Sequence, residues 1–153
     1  MSEFNFDSIS LKSDSNKSKT IAVIHSKFNS NIVLPLVEET KSSLNALGID
    51  KINFYDVPGA FEIPFVVKKC IELKKFDGII CLGTIIRGET SHYELISNNV
   101  FSALMNINLT SNIPIINGVI TTENEHQAKA RIINAKYYAE SCIQMIKFGT
   151  SSW

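Results

Sequence analysis

Apolar and polar positions change period along this chain in a regular order. Residues 21–24 (IAVI) are a short, wholly apolar run with β-branched side chains, which predicts a buried strand. In residues 31–47, Ile32, Val33, Leu36, Val37, Leu44 and Leu47 return at helical spacing, and Gly48 ends the pattern. Pro35 in that stretch is tolerable only near the helix's first turn. Residues 51–57 (KINFYDV) read as a second strand that stops at Pro58-Gly59. Residues 60–73 are helical, with Pro64 early, and 78–83 (GIICLG) form a third strand. A helix over 91–106, a strand over 113–121 and a long final helix over 123–147 complete the pattern. Strand and helix thus alternate four times, and the strands read as apolar along their length. That signature predicts a three-layer α/β/α fold with a four-stranded parallel sheet covered on both faces.

The 153 residues make one domain the natural expectation, over 20–153, with residues 1–19 as a polar tail, either mobile or draped on a partner. Fifteen basic residues balance fifteen acidic ones, so no global field attracts nucleic acid or an anionic membrane. No apolar run approaches the ~18 residues of a spanning helix, and the N-terminus lacks a secretory core. Cys70, Cys81 and Cys142 are odd in number and form no CxxC pair. They read as buried, reduced thiols of a cytoplasmic protein. His25, His92 and His126 share no metal-ligand spacing, so no metal is expected.

In a parallel sheet, ligands bind beyond the carboxyl ends of the strands. The unusual residues of this chain fall there. After the third strand, Ser91 and Glu94 have capping-box spacing, placing a helix start at Ser91. Its unpaired amides, with Gly88 for close approach and the Thr90 hydroxyl, suit a phosphate or carboxylate, although an ordinary capped turn would look the same. His92 lies in the first turn, where the helix dipole favours a neutral ring able to exchange protons. After the first strand, Phe28 is placed either to stack on a planar ring or to pack in the core, and Asn29 reads as the next helix's N-cap. After the second, Glu62 stands in the otherwise apolar VPGAFEIP, facing either a polyol or simply the helix dipole. After the fourth, Thr122 and Glu125 have capping-box spacing, and Arg131 follows about two turns into the final helix. Arg131 suits a bidentate phosphate contact, or else plain solvation.

Taken together and in this order, these stretches resemble the 6,7-dimethyl-8-ribityllumazine synthase family. The matching residues are Lys27-Phe28-Asn29, 57–64 (VPGAFEIP), 82–92 (LGTIIRGETSH) with Tyr93, and 118–122 with Gln127-Ala128 and Arg131. The resemblance implies a flavodoxin-like fold and a cofactor-free transferase of riboflavin biosynthesis. It would condense 5-amino-6-ribitylaminouracil with 3,4-dihydroxy-2-butanone 4-phosphate, releasing phosphate and water. On this resemblance Phe28 would stack on the pyrimidine, and Ala60, Phe61 and Glu62 would hold the ribityl chain and ring edge. Thr84, Ile85 and Ile86 would contact the pyrimidine through the backbone. Gly88, Glu89, Thr90 and Arg131 would bind phosphate, and His92 would shuttle protons. Family members form pentamers with sites between subunits, so a homopentamer, with a possible higher assembly, is implied, and residue 117 would face the neighbour's site. Two departures stand out: Asn117 replaces a Phe common in the family, and the stretch after Arg131 (IINAKYYAE) lacks the usual Asn-Lys-Gly turn.

Other functions fit less well. A non-catalytic flavin- or lumazine-binding protein of the same fold would need Phe28 and Glu62 but neither His92 nor Arg131. A signalling receiver needs acidic residues after the first strand and an Asp ending the third, where this chain has His25-Ser26 and Gly83-Thr84. A flavodoxin-like electron carrier would want a phosphate loop richer in Ser, Thr and Gly than HSKFNSN.

Overall fold

The computed structural model describes residues 11–150. Four parallel strands, β1 (Thr20–Ser26), β2 (Lys51–Val57), β3 (Gly78–Ile86) and β4 (Ile115–Thr122), form one sheet in the order β2-β1-β3-β4. The helices are α1 (Ser30–Ala46), α2 (Ile63–Glu72), α3 (His92–Thr110), α4 (Glu125–Ala130) and α5 (Ala135–Thr150). This is the flavodoxin-like α/β/α arrangement, whose strand order reverses direction between β1 and β3.

The layers follow from strand geometry, since successive side chains point to opposite faces. Ile21, Val23, Ile80 and Leu82 join α1 and α5 in one core. Ala22, Ile24, Ile79 and Cys81 join α2 and α3 in the other. Each fully buried Ile or Leu contributes about 1.5–3 kcal/mol by leaving water. Gly118 lets β4 lie against the first core, because a Cβ there would meet Leu82 Cδ2 at 2.7 Å and Cys81 O at 2.8 Å. Gly48, at φ +93°, turns the chain out of α1 in the left-handed conformation that disfavours side chains.

Several boundaries differ from the sequence expectation, each for a local reason. β2 is an edge strand with only Val57 buried, so it is not the buried strand its apolar letters suggest. β3 runs on to Ile86, because residues 79–86 pair continuously with 115–122. The 60–73 segment begins as a 3-10 turn, Ala60–Glu62, before α2. Pro35 lies inside α1, beyond its first turn. The long final helix is broken into α4, a 3-10 turn Ile132–Asn134, and α5. The bonding changes at Arg131. Arg131 N–H bonds Ala128 O at 3.1 Å, while its own guanidinium Nη1 takes the Gln127 carbonyl at 3.1 Å that a continuing helix would have used.

Residues 11–19 lie against their own chain. Leu11 is buried with the α1 and α5 core, and buried Asn16 donates through Nδ2 to Leu11 O at 2.9 Å and Leu47 O at 2.7 Å. Residues 1–10 of the expected tail, and residues 151–153, lie outside the described residues. Cys70, Cys81 and Cys142 are free and buried, as expected. No described helix is long and apolar enough to cross a membrane.

Candidate active site

The carboxyl ends of β1, β2 and β3 enclose a pocket of about 440 Å³ at the topological switch point. Phe28, Ala60, Phe61, Glu62, Thr84, Ile85, Ile86 and His92 line it, together with Asn29, Pro58, Gly59 and Ile96.

The β1 loop is tied to both neighbouring strands. Lys27 N–H donates to Val57 O at 2.8 Å and Phe28 N–H to Pro58 O at 3.1 Å. Lys27 Nζ pairs with Asp56 at 3.1 Å, and that ammonium holds the Asp56 carboxyl below its ordinary range. Both partners are largely exposed, so the pair orients more than it stabilises. Asn29 sits at the start of α1, but its side chain does not cap the helix. It adopts φ 59°, and its Nδ2 donates instead to Thr84 O at 3.1 Å, bridging to β3. These ties hold Phe28 outside the core, 71% exposed, which decides against its core reading.

Phe61, 62% exposed, joins Phe28 in the pocket lining. The 3-10 turn positions Glu62, whose Oε2 accepts from Gly59 N–H at 3.0 Å and retains a second oxygen for other donors. Thr84 is buried, and its Oγ1 has no hydrogen-bond partner. Pocket walls are thus mostly apolar, with a carboxylate and an imidazole set among them, the composition of small-molecule sites.

His92 is exposed and begins α3; its N–H donates to Thr90 Oγ1 at 3.3 Å. The expected Ser91–Glu94 capping box does not form: Ser91 makes no side-chain cap bond, and Glu94 pairs with Arg87 instead. A charge-assisted bond to a guanidinium outcompetes a neutral amide for that carboxylate. Glu94 is accordingly held below its ordinary range and Arg87 above its own. The second expected box is also displaced. Asn124, not Thr122, caps α4 by accepting from Gln127 N–H at 2.9 Å, and Thr122 Oγ1 donates to Asn124 O.

Gly88, Glu89 and Thr90 are exposed in the loop joining the pocket residue Ile86 to His92, though they do not line the pocket of one chain. Arg131 and Asn117 also lie off it. Arg131 is exposed at the end of α4, and no carboxylate among the described residues pairs with it. Asn117 is exposed on the β4 edge, in clefts beside Phe101 and Met105 and beside Tyr137 and Ser141. Three loop ends, rather than four, therefore build the pocket of a single chain. Sequence reasoning placed the N-cap of α1 at Asn29, where it lies, but missed the reach of its side chain to Thr84 and passed over Ile96 and Arg87. The IRG string flags Arg87, but its partner Glu123 is far along the chain and carries no local signal.

The 6,7-dimethyl-8-ribityllumazine synthase family matches residues 18–149. A protein of that name from Limosilactobacillus reuteri is 44% identical over 115 residues, covering 75% of this chain and 76% of its own. One from Methylobacillus flagellatus is 38% identical over 133 residues, covering 85% and 89%. One from Azoarcus sp. is 41% identical over 131 residues, covering 83% and 84%. The chain belongs to the 6,7-dimethyl-8-ribityllumazine synthase family, transferases that condense 5-amino-6-ribitylaminouracil with 3,4-dihydroxy-2-butanone 4-phosphate in riboflavin biosynthesis.

Proposed function

We propose that the condensation takes place in the rim pocket between β1 and β3, within a cytoplasmic homopentamer whose neighbouring subunit supplies Arg131 and Asn117. The observation that carries this reading is the meeting of Phe28, Phe61, Glu62 and His92 around one pocket.

Phe28 stacks on the pyrimidine, and Thr84, Ile85 and Ile86 present strand backbone to the ring edge. Ala60, Phe61 and the free oxygen of Glu62 receive the ribityl chain. Gly88, Glu89 and Thr90, with Arg131, hold the phosphate of the four-carbon substrate. The nucleophile is the substrate's own amine, so the protein needs no Lys, Ser or Cys to attack. Its tasks are to orient two substrates, to move protons through His92, and to stabilise the departing phosphate.

Supramolecular completion of the pocket has support in the exposed surface. The outer face of α3 presents Leu95, Met105 and Leu109 at 59%, 58% and 75% exposure, beside the unpaired edge of β4. Apolar positions gathered beside an open sheet edge suit a partner surface. A head-to-tail contact between copies forms a ring where its rotation closes, and in the proposed ring it brings Arg131 to the next subunit's pocket. The free, buried thiols suit a reducing compartment.

The test is to mix purified protein with both substrates and follow lumazine formation against the uncatalysed reaction. Clear acceleration is expected, with Phe28→Ala raising KM for the ribitylaminouracil. No acceleration would leave a lumazine- or flavin-binding protein as the better reading.

A further inference from the structure

Arg87, the first residue beyond β3, joins three separate segments. Its backbone N–H donates to Thr122 O at 2.9 Å. Its Nε pairs with Glu123 at 2.8 Å, and its Nη1 pairs with Glu94. The guanidinium lies over the Tyr93 ring, 4.4 Å from the centroid. A planar fork can meet two carboxylates and stack at once, which an ammonium cannot do.

The placement gives this cluster a purpose. Residues 88–91 fill the gap between Arg87 and α3, and the pair with Glu94 fastens both ends of that loop. Glu123 begins the loop that joins β4 to α4 of the same chain. With two carboxylates on it, Arg87 is not a free cation for substrate. We propose that Arg87 is a positioning residue for anion binding: it clamps Glu94 and Glu123, and so sets the Gly88–Thr90 loop against the β4–α4 loop without touching the anion. The inference rests on the assignment of that loop to the substrate phosphate.

The experiment pairs steady-state kinetics with titration of inorganic phosphate into the full-length protein. Arg87→Ala is expected to raise KM for the phosphorylated substrate and weaken phosphate binding by about tenfold or more, as small misplacements do. KM for ribitylaminouracil should change by less than about twofold, because that subsite keeps its ties. Arg87→Lys should fail to restore phosphate affinity, and Glu123→Gln, which removes one arm, should weaken it in the same direction. The inference is overturned by an equal rise in both KM values, by full rescue with Lys, or by unchanged phosphate affinity. Should Arg87→Ala not fold, Glu123→Gln decides: unchanged phosphate affinity sinks the inference. Phosphate binding with these variant effects but no lumazine from the wild type would uphold Arg87's role and remove the catalytic reading.

Discussion

Asn29 Nδ2 donates to the Thr84 carbonyl at 3.1 Å, so the loop carrying Phe28 is fastened to the strand that forms the pocket floor. Asn29 holds φ 59°, a conformation that costs an ordinary side chain roughly 1–2 kcal/mol. Asn29→Ala loses the bond and keeps that strain, whereas Asn29→Gly loses the bond alone. Ala is therefore expected to destabilise more than Gly in denaturant melts. Both should raise KM for the ribitylaminouracil, since Phe28 loses its tether. Equal stability of the two variants would show that the left-handed backbone is not what limits this position.

Gly118 predicts a packing penalty. An added methyl would meet Leu82 Cδ2 at 2.7 Å, Cys81 O at 2.8 Å and Tyr138 Cδ2 at 2.9 Å. The backbone oxygen cannot rotate aside as a side chain can. Gly118→Ala should cost about 1–3 kcal/mol, the usual penalty of overpacking. A melting temperature lower by several degrees checks it.

The buried thiols set an alkaline limit. Burial pushes Cys142 up to about 12 from 9.0, and it raises Cys81 and Cys70 as well. A raised folded pKa keeps the proton on the folded chain after the unfolded chain has released its own. Their contribution to stability is whole below pH 9.0 and falls as the pH rises from there towards 12. Denaturant midpoints should thus fall between about pH 8 and about pH 10, one unit either side of the free thiol's 9.0. A thiol reagent at pH 8 should label the folded protein slowly and all three cysteines once guanidinium unfolds it.

How much of this was legible beforehand depends on how local each cause is. Phe28, Glu62 and His92 could be read because each interrupts an expected pattern at a strand end, where the topology gathers ligand contacts. The exposure of β2 could not, because KINFYDV looks the same at an edge as in the middle, and strand order is a property of the whole sheet. The broken final helix was hidden for another reason. Its apolar spacing runs on past residue 131, while the backbone bonding changes at Arg131 to a 3-10 turn, and the periodicity carries no sign of that change. Ser91 and Glu94 had the right spacing for a cap, but Arg87 was the stronger partner. In the first and last of these misses a distant strand or a side chain overrode a sound local rule.

The composite site predicts complementation. His92→Ala and Arg131→Ala chains should each be poor catalysts, the second chiefly through a raised KM for the phosphorylated substrate. If the two residues meet across an interface, chains unfolded together and refolded as a mixture regain activity. Random mixing leaves about a quarter of the interfaces with both residues intact. Activity no higher than the average of the separate variants would place both residues in one chain's own site, or apart altogether.

The measurement that bears most directly on the rim pocket is kcat for lumazine formation by the wild type and by His92→Ala. A proton shuttle at this position predicts a fall of about 10²-fold, with a residual rate still above the uncatalysed reaction because the substrates remain oriented. An unchanged kcat would mean that the protons move elsewhere and that the pocket lined by Phe28, Glu62 and His92 is not where the condensation occurs.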